Sequence, residues 1–108
     1  MINIISIEVV DFLKNSLGRR FTISVDQDLL GDWHVKTCTR KPEQSRGLRR
    51  HYLVRGEQNA QSRVRELLLK KLCRPKGQKA HISEIDAYDH INILNWVPTE
   101  QAPLHYFI

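Results

Sequence analysis

"GDWHVKTCTRKPEQSRGLRRHYLV", residues 31–54, carries the pattern that decides the fold. Trp33, Val35 and Thr37 alternate with His34, Lys36 and Cys38, the two-residue period of a strand with one face buried. Leu48, Arg50, Tyr52 and Val54 alternate in the same way with Arg49, His51 and Leu53, which predicts a second strand. The loop between them holds Pro42, Ser45 and Gly47, residues that favour turns. Cations crowd this turn and its shoulders: Lys36, Arg40, Lys41, Arg46, Arg49 and Arg50.

Outward from that hairpin, "RFTISV" (residues 20–25) sets Phe21, Ile23 and Val25 on one face and Thr22 and Ser24 on the other. "DQDLLGD" follows as an Asp-rich turn with one Gly, so the three strands form a meander. The clearest helix is predicted over "NAQSRVRELLLKKLCR", at about residues 59–73, where Ala60, Val64, Leu67, Leu68 and Leu72 recur at helical spacing in good helix formers. Gln58 or Asn59 opens it, Pro75 and Gly77 end it, and Lys70, Lys71 and Arg74 suit the negative end of its dipole. In "ISIEVVDFLKNSL" the spacing of Ile5, Val9, Phe12, Leu13 and Leu17 predicts an N-terminal helix closed by Gly18. The β-branched Ile5, Ile7, Val9 and Val10 leave an initial strand open as the alternative. After residue 79, "AHISEI" and "HINILNWV" read as strands paired across "DAYD", although Ser83 with Asp86 also resembles a helix capping box. Pro98 and Pro103 break the tail, whose apolar end "LHYFI" is a candidate docking or self-association segment.

With 108 residues, 41% hydrophobic and 27% charged, the chain fits one folded domain (1–108) with a single small core. No apolar run is long enough to cross a bilayer, and the opening carries Glu8 and Asp11 in place of a basic start, so a cytoplasmic protein is expected. Cys38 and Cys73 stand far apart with no C-x-x-C spacing, which gives no basis for a metal site or a disulfide framework. The net charge of +5 hides a strong segregation. From Lys36 to Lys79 fourteen Lys and Arg face only Glu43, Glu57 and Glu66, so this segment carries +11 and the flanks together −6. A basic block between acidic flanks points to an anionic partner, in the first place nucleic acid.

No metalloprotease, hydrolase, phosphate-loop or zinc pattern occurs, and His81, His90 and His105 are too scattered for a metal centre. The chain is therefore expected to be a binding module, not an enzyme, and to need no cofactor. His34 and His51, on neighbouring strands near Arg40 and Tyr52, define the catalytic alternative, a small toxin-like ribonuclease. A binding or inhibitor module for an acidic protein of a mobile element or defence system is the other alternative. Trp33 alternates with Val35 and is expected in the core; Trp96 is left open between packing and stacking on bases.

From Phe21 to Lys71 the order of features resembles the WGR domain, a small module of poly(ADP-ribose) polymerases and bacterial proteins. "FTISV" leads to "DLLGDW", similar to the Asp-Leu-Phe-Gly-x-Trp turn and strand of bacterial members, followed by a basic turn with Gly47, a strand ending near Val54, and a helix from Ala60 to Lys71. The signature tripeptide falls on Cys38-Thr39-Arg40, of which only Arg40 agrees. The resemblance implies an α+β fold: a small twisted antiparallel sheet with one main helix on one face, a basic core over residues 19–79 and a C-terminal extension over 80–108. It also implies DNA binding at the sugar-phosphate backbone, through the position of Arg40.

Overall fold

A computed structural model of the chain describes residues 2–13, 16–41, 46–72, 78–88 and 91–98. They form an α+β slab of 44 × 34 × 21 Å, two layers deep. Five strands, β1 (Ile2–Leu13), β2 (Ser16–Gln27), β3 (Trp33–Arg40), β4 (Leu48–Val54) and β5 (Gln78–Ala87), make one sheet in the order β4-β3-β2-β1-β5. Every neighbouring pair is antiparallel. The first four strands are consecutive, and α1 (Glu57–Leu72) then carries the chain from the β4 edge across the sheet to the β1 side.

The alternation read in the sequence sets the two faces. Ile5, Ile7 and Val9 of β1 pair with Val25, Ile23 and Phe21 of β2, and Val25 in turn faces Val35 of β3. All seven are buried. Ile82 and Ile85 extend this surface on β5, and Ala60, Val64, Leu68 and Leu72 of α1 cover it. The four helical residues fall at intervals of four, which keeps them on one side of the helix. Two of the helical cations lie over rings of that core and its edge: Lys71 sits 4.7 Å from the ring centre of Phe21 and Arg63 5.2 Å from that of the partly buried Tyr52.

The N-terminal helix is replaced by β1. Its apolar stripe served two periods at once, and the β-branched run settles the choice: Ile5, Ile7 and Val9 alternate inward between β2 and β5. The expected strand in "HINILNWV" is likewise corrected. Residues Ile93–Asn95 form a 3-10 turn capped by Asn92, whose side-chain oxygen accepts from the Leu94 N–H at 3.1 Å. The Ile93 carbonyl accepts from both Trp96 and Val97. This turn drops Trp96, 1% exposed, onto the core, 5.9 Å from Trp33 between ring centres. "AHISEI" is a strand as expected, but its partner is β1. β1 and β5 thus share one sheet with β2, β3 and β4, and Trp96 shares one core with them. The tail "LHYFI" lies outside the described residues.

Candidate nucleic-acid interface

α1 and Trp96 lie on one side of the sheet, and no element of the described residues covers the other, an arrangement antiparallel sheets permit. Its side chains follow from the register. Arg20, Thr22, Ser24 and Asp26 of β2 stand across from Arg40, Cys38, Lys36 and His34 of β3. Cys38, Lys36 and His34 stand in turn across from Arg49, His51 and Leu53 of β4. On the far side, Ser6 and Glu8 of β1 face Asp86 and Glu84 of β5. The open face is therefore basic over β3, β4 and the end of β2, and acidic over β1 and β5.

Of the cations singled out by sequence, Lys36, Arg40 and Arg49 come together on this face. Arg50 does not: it stands opposite Thr37, a buried residue, and so points to the helix side with Tyr52. Lys41 and Arg46 are exposed beside the end of the hairpin, while Pro42 and Ser45 lie outside the described residues. Arg20 joins the set from outside the basic turn. Its signal was present in "RFTISV", where alternation places it with Thr22 and Ser24. Among the described residues no carboxylate lies within ion-pair distance of Arg20, Arg40 or Arg49. Lys36 differs, its ammonium lying 3.2 Å from Asp26, which also accepts from Asn3 at 2.9 Å.

Gly47 holds the two strands of the basic hairpin together. A β-carbon there would stand 2.5 Å from the Thr39 carbonyl oxygen and 2.8 Å from the Cys38 sulfur, so only glycine allows this approach. The other tight turn, Asp28 to Asp32, is closed by its own backbone, with Gly31 N–H donating to the Asp28 carbonyl at 3.0 Å and Gly31 at φ 88°. The Asp28 side chain is fixed by the same turn. One carboxylate oxygen accepts from the N–H groups of Leu30 and Asp32, both at 3.0 Å, and the other lies 2.7 Å from His34 Nε2. His34 Nδ1 is in turn 2.7 Å from His51 Nε2. The His34 contact holds the Asp28 carboxyl below its ordinary value, helped by the two backbone donors and opposed by partial burial.

A shallow depression of about 340 Å³ opens between these groups, its floor and walls including Thr22, Ser24, Lys36, Cys38, Arg49 and His51. From Lys36 to Arg40 the basic strip runs four residues, about 13 Å at about 3.3 Å per residue. That length faces about four phosphates of one strand, at one charge per about 3.4 Å of duplex axis. Among the described residues no cluster of His, Cys, Asp or Glu could hold a metal ion, and no helix is long and apolar enough to cross a membrane. The chain matches no family model, no curated protein and no solved structure.

Proposed function

We propose that this chain is a nucleic-acid-binding module, WGR-like in build, that grips phosphates with the open face of its sheet. Arg20, Arg40 and Arg49 supply guanidinium groups with no ion-pair partner among the described residues, Lys36 a partly neutralised ammonium, and Lys41 and Arg46 further exposed cations beside the hairpin end. The observation that carries this reading is the register, which gathers three arginines, without ion-pair partners among the described residues, on a face that no described element covers. Arginine suits the task because its fork of donors can meet two phosphate oxygens at once. Sequence would matter little: phosphate contacts set position and affinity, and Trp33, Trp96 and Phe21, rings that could otherwise stack on bases, are buried on the helix side. Titration of a fluorescent duplex at low salt tests the proposal by anisotropy. Binding is expected for the wild type and lost for the combined Arg20→Ala, Arg40→Ala and Arg49→Ala variant; an unchanged curve for that variant would remove the assigned face.

A further inference from the structure

We propose that the basic depression also cleaves RNA, with His51 as general base and His34 and Asp28 as positioning residues. This inference rests on the nucleic-acid reading, since the same cations must bring a phosphodiester to His51. The chain Asp28–His34–His51 has one consistent proton order when both rings are neutral. A carboxylate only accepts, so His34 donates from Nε2 to Asp28 across 2.7 Å. His34 Nδ1 then carries a lone pair and accepts from His51 Nε2–H, also across 2.7 Å. His51 Nδ1 is left with its lone pair on an exposed ring at the wall of the depression. The exposures fit this direction: the His34 and Asp28 side chains are 15% and 23% exposed, His51 is the exposed member, and its ring is the one that can meet a substrate. A proton taken up at His51 Nδ1 strengthens both hydrogen bonds behind it, because each donor becomes more acidic toward its acceptor.

The depression supplies the remaining parts. Lys36 stands directly across from His51, and Arg49 lies two residues before His51 on the same strand face. A phosphate held by Arg49 and Lys36 sets the neighbouring ribose beside His51. His51 Nδ1 takes the proton of the 2′-hydroxyl as the 2′-oxygen bonds to the adjacent phosphorus. The bond from phosphorus to the 5′-oxygen breaks, and that oxygen takes a proton from water. The resulting hydroxide recovers the proton from His51, so no net water is consumed. The products are a 2′,3′-cyclic phosphate and a 5′-hydroxyl end, and Arg49 offsets the charge that gathers on the pentacoordinate phosphorus.

The test uses a labelled DNA strand with one internal ribonucleotide, beside an all-deoxy strand of the same sequence. Wild type should cut the first strand at the ribonucleotide only, leaving a cyclic phosphate, and should bind the second without cutting it. His51→Ala should lower the rate by about 100-fold or more, with thermal unfolding showing that the exposed substitution leaves the fold intact. Asp28→Asn should lower kcat while KM stays unchanged, and a KM effect alone would assign Asp28 a binding or structural role and overturn its place in the chain. Binding of both strands with no cleavage would overturn the catalytic inference and leave the phosphate grip standing. Cleavage that persists in His51→Ala would overturn it as well, and failure to bind either strand would overturn both readings.

Discussion

Arg49 and Arg50 are adjacent in sequence and leave the sheet on opposite faces, so truncating each in turn separates a positioned grip from a diffuse excess of charge. Arg49→Ala removes from the open face, opposite Cys38, one guanidinium that has no ion-pair partner among the described residues. One lost phosphate contact should reduce the slope of log affinity against log salt by about 0.9. At moderate salt the loss should be about 1 kcal/mol, the upper range of an exposed ion pair, or about fivefold in Kd. Arg50→Ala changes the net charge equally but lies on the helix side opposite Thr37, and should leave the slope within error. Lys36→Ala should fall between them, because Asp26 at 3.2 Å already neutralises part of its charge. The combined loss of Arg20, Arg40 and Arg49 should reduce the slope by about 2.7. Anisotropy titrations of one labelled duplex between about 50 and 200 mM salt measure all of these. Equal effects of Arg49→Ala and Arg50→Ala would refute the reasoning, since binding would then follow net charge and not the register of β4.

Trp96→Ala should destabilise the fold by about 3–5 kcal/mol, because a ring 1% exposed against Trp33 leaves a cavity in the core; a midpoint shift in urea of the size seen for a surface variant would argue that residues 91–98 do not belong to the core. Asp28→Asn should alter the acid limb of the stability curve. The folded carboxyl titrates below its unfolded value of 3.8, so its contribution is fully present above that value and is lost as pH falls through the folded one. Wild type and Asp28→Asn should thus differ in urea midpoint at about pH 6 and converge toward about pH 2, and a difference that grows on acidification would reverse the sign and exclude the His34 contact.

The meander and the main helix were legible because each rests on a single unambiguous period. Phe21, Ile23 and Val25, or Trp33 and Val35, have no helical reading, and Val64, Leu67 and Leu68, at intervals of three and four, have no strand reading. Residues 5–13 failed for the opposite reason: Ile5 and Val9 satisfy both periods, and only the sheet, by offering β1 partners on both sides, decides between them. Trp96 was undecidable locally, since a bulky ring after a short turn can face either solvent or core. Most of the site was legible as composition and less of it as geometry. The cations of the turn were visible, but which of them share a face depends on the exact register, which separates Arg49 from Arg50 and recruits Arg20. The contact of Asp28 with His34 spans six residues across a turn, where no period operates.

Segregation of charge along the chain becomes segregation across one face, because the acidic flanks fold into β1 and β5 beside the basic meander. Glu8 and Glu84 stand directly opposite each other, an unfavourable cross-strand pair beside which the Ser83 hydroxyl donates to the Glu8 carboxylate at 2.9 Å. A bound strand should therefore run along β3 and β4 and avoid the β1 and β5 half. Glu84→Lys tests this with two readouts. Exchanging repulsion for attraction opposite Glu8 should stabilise the fold by about 0.2–1 kcal/mol. For binding, β5 lies three strand spacings from β3, about 14 Å at about 4.8 Å each, beyond the Debye length of about 10 Å at 0.1 M salt but well within about 30 Å at 0.01 M. The variant should hence bind duplex more tightly than wild type near 0.01 M salt and indistinguishably above about 0.1 M. A gain that persists at high salt would mean direct contact with β5, and a footprint covering the whole open face in place of its basic half.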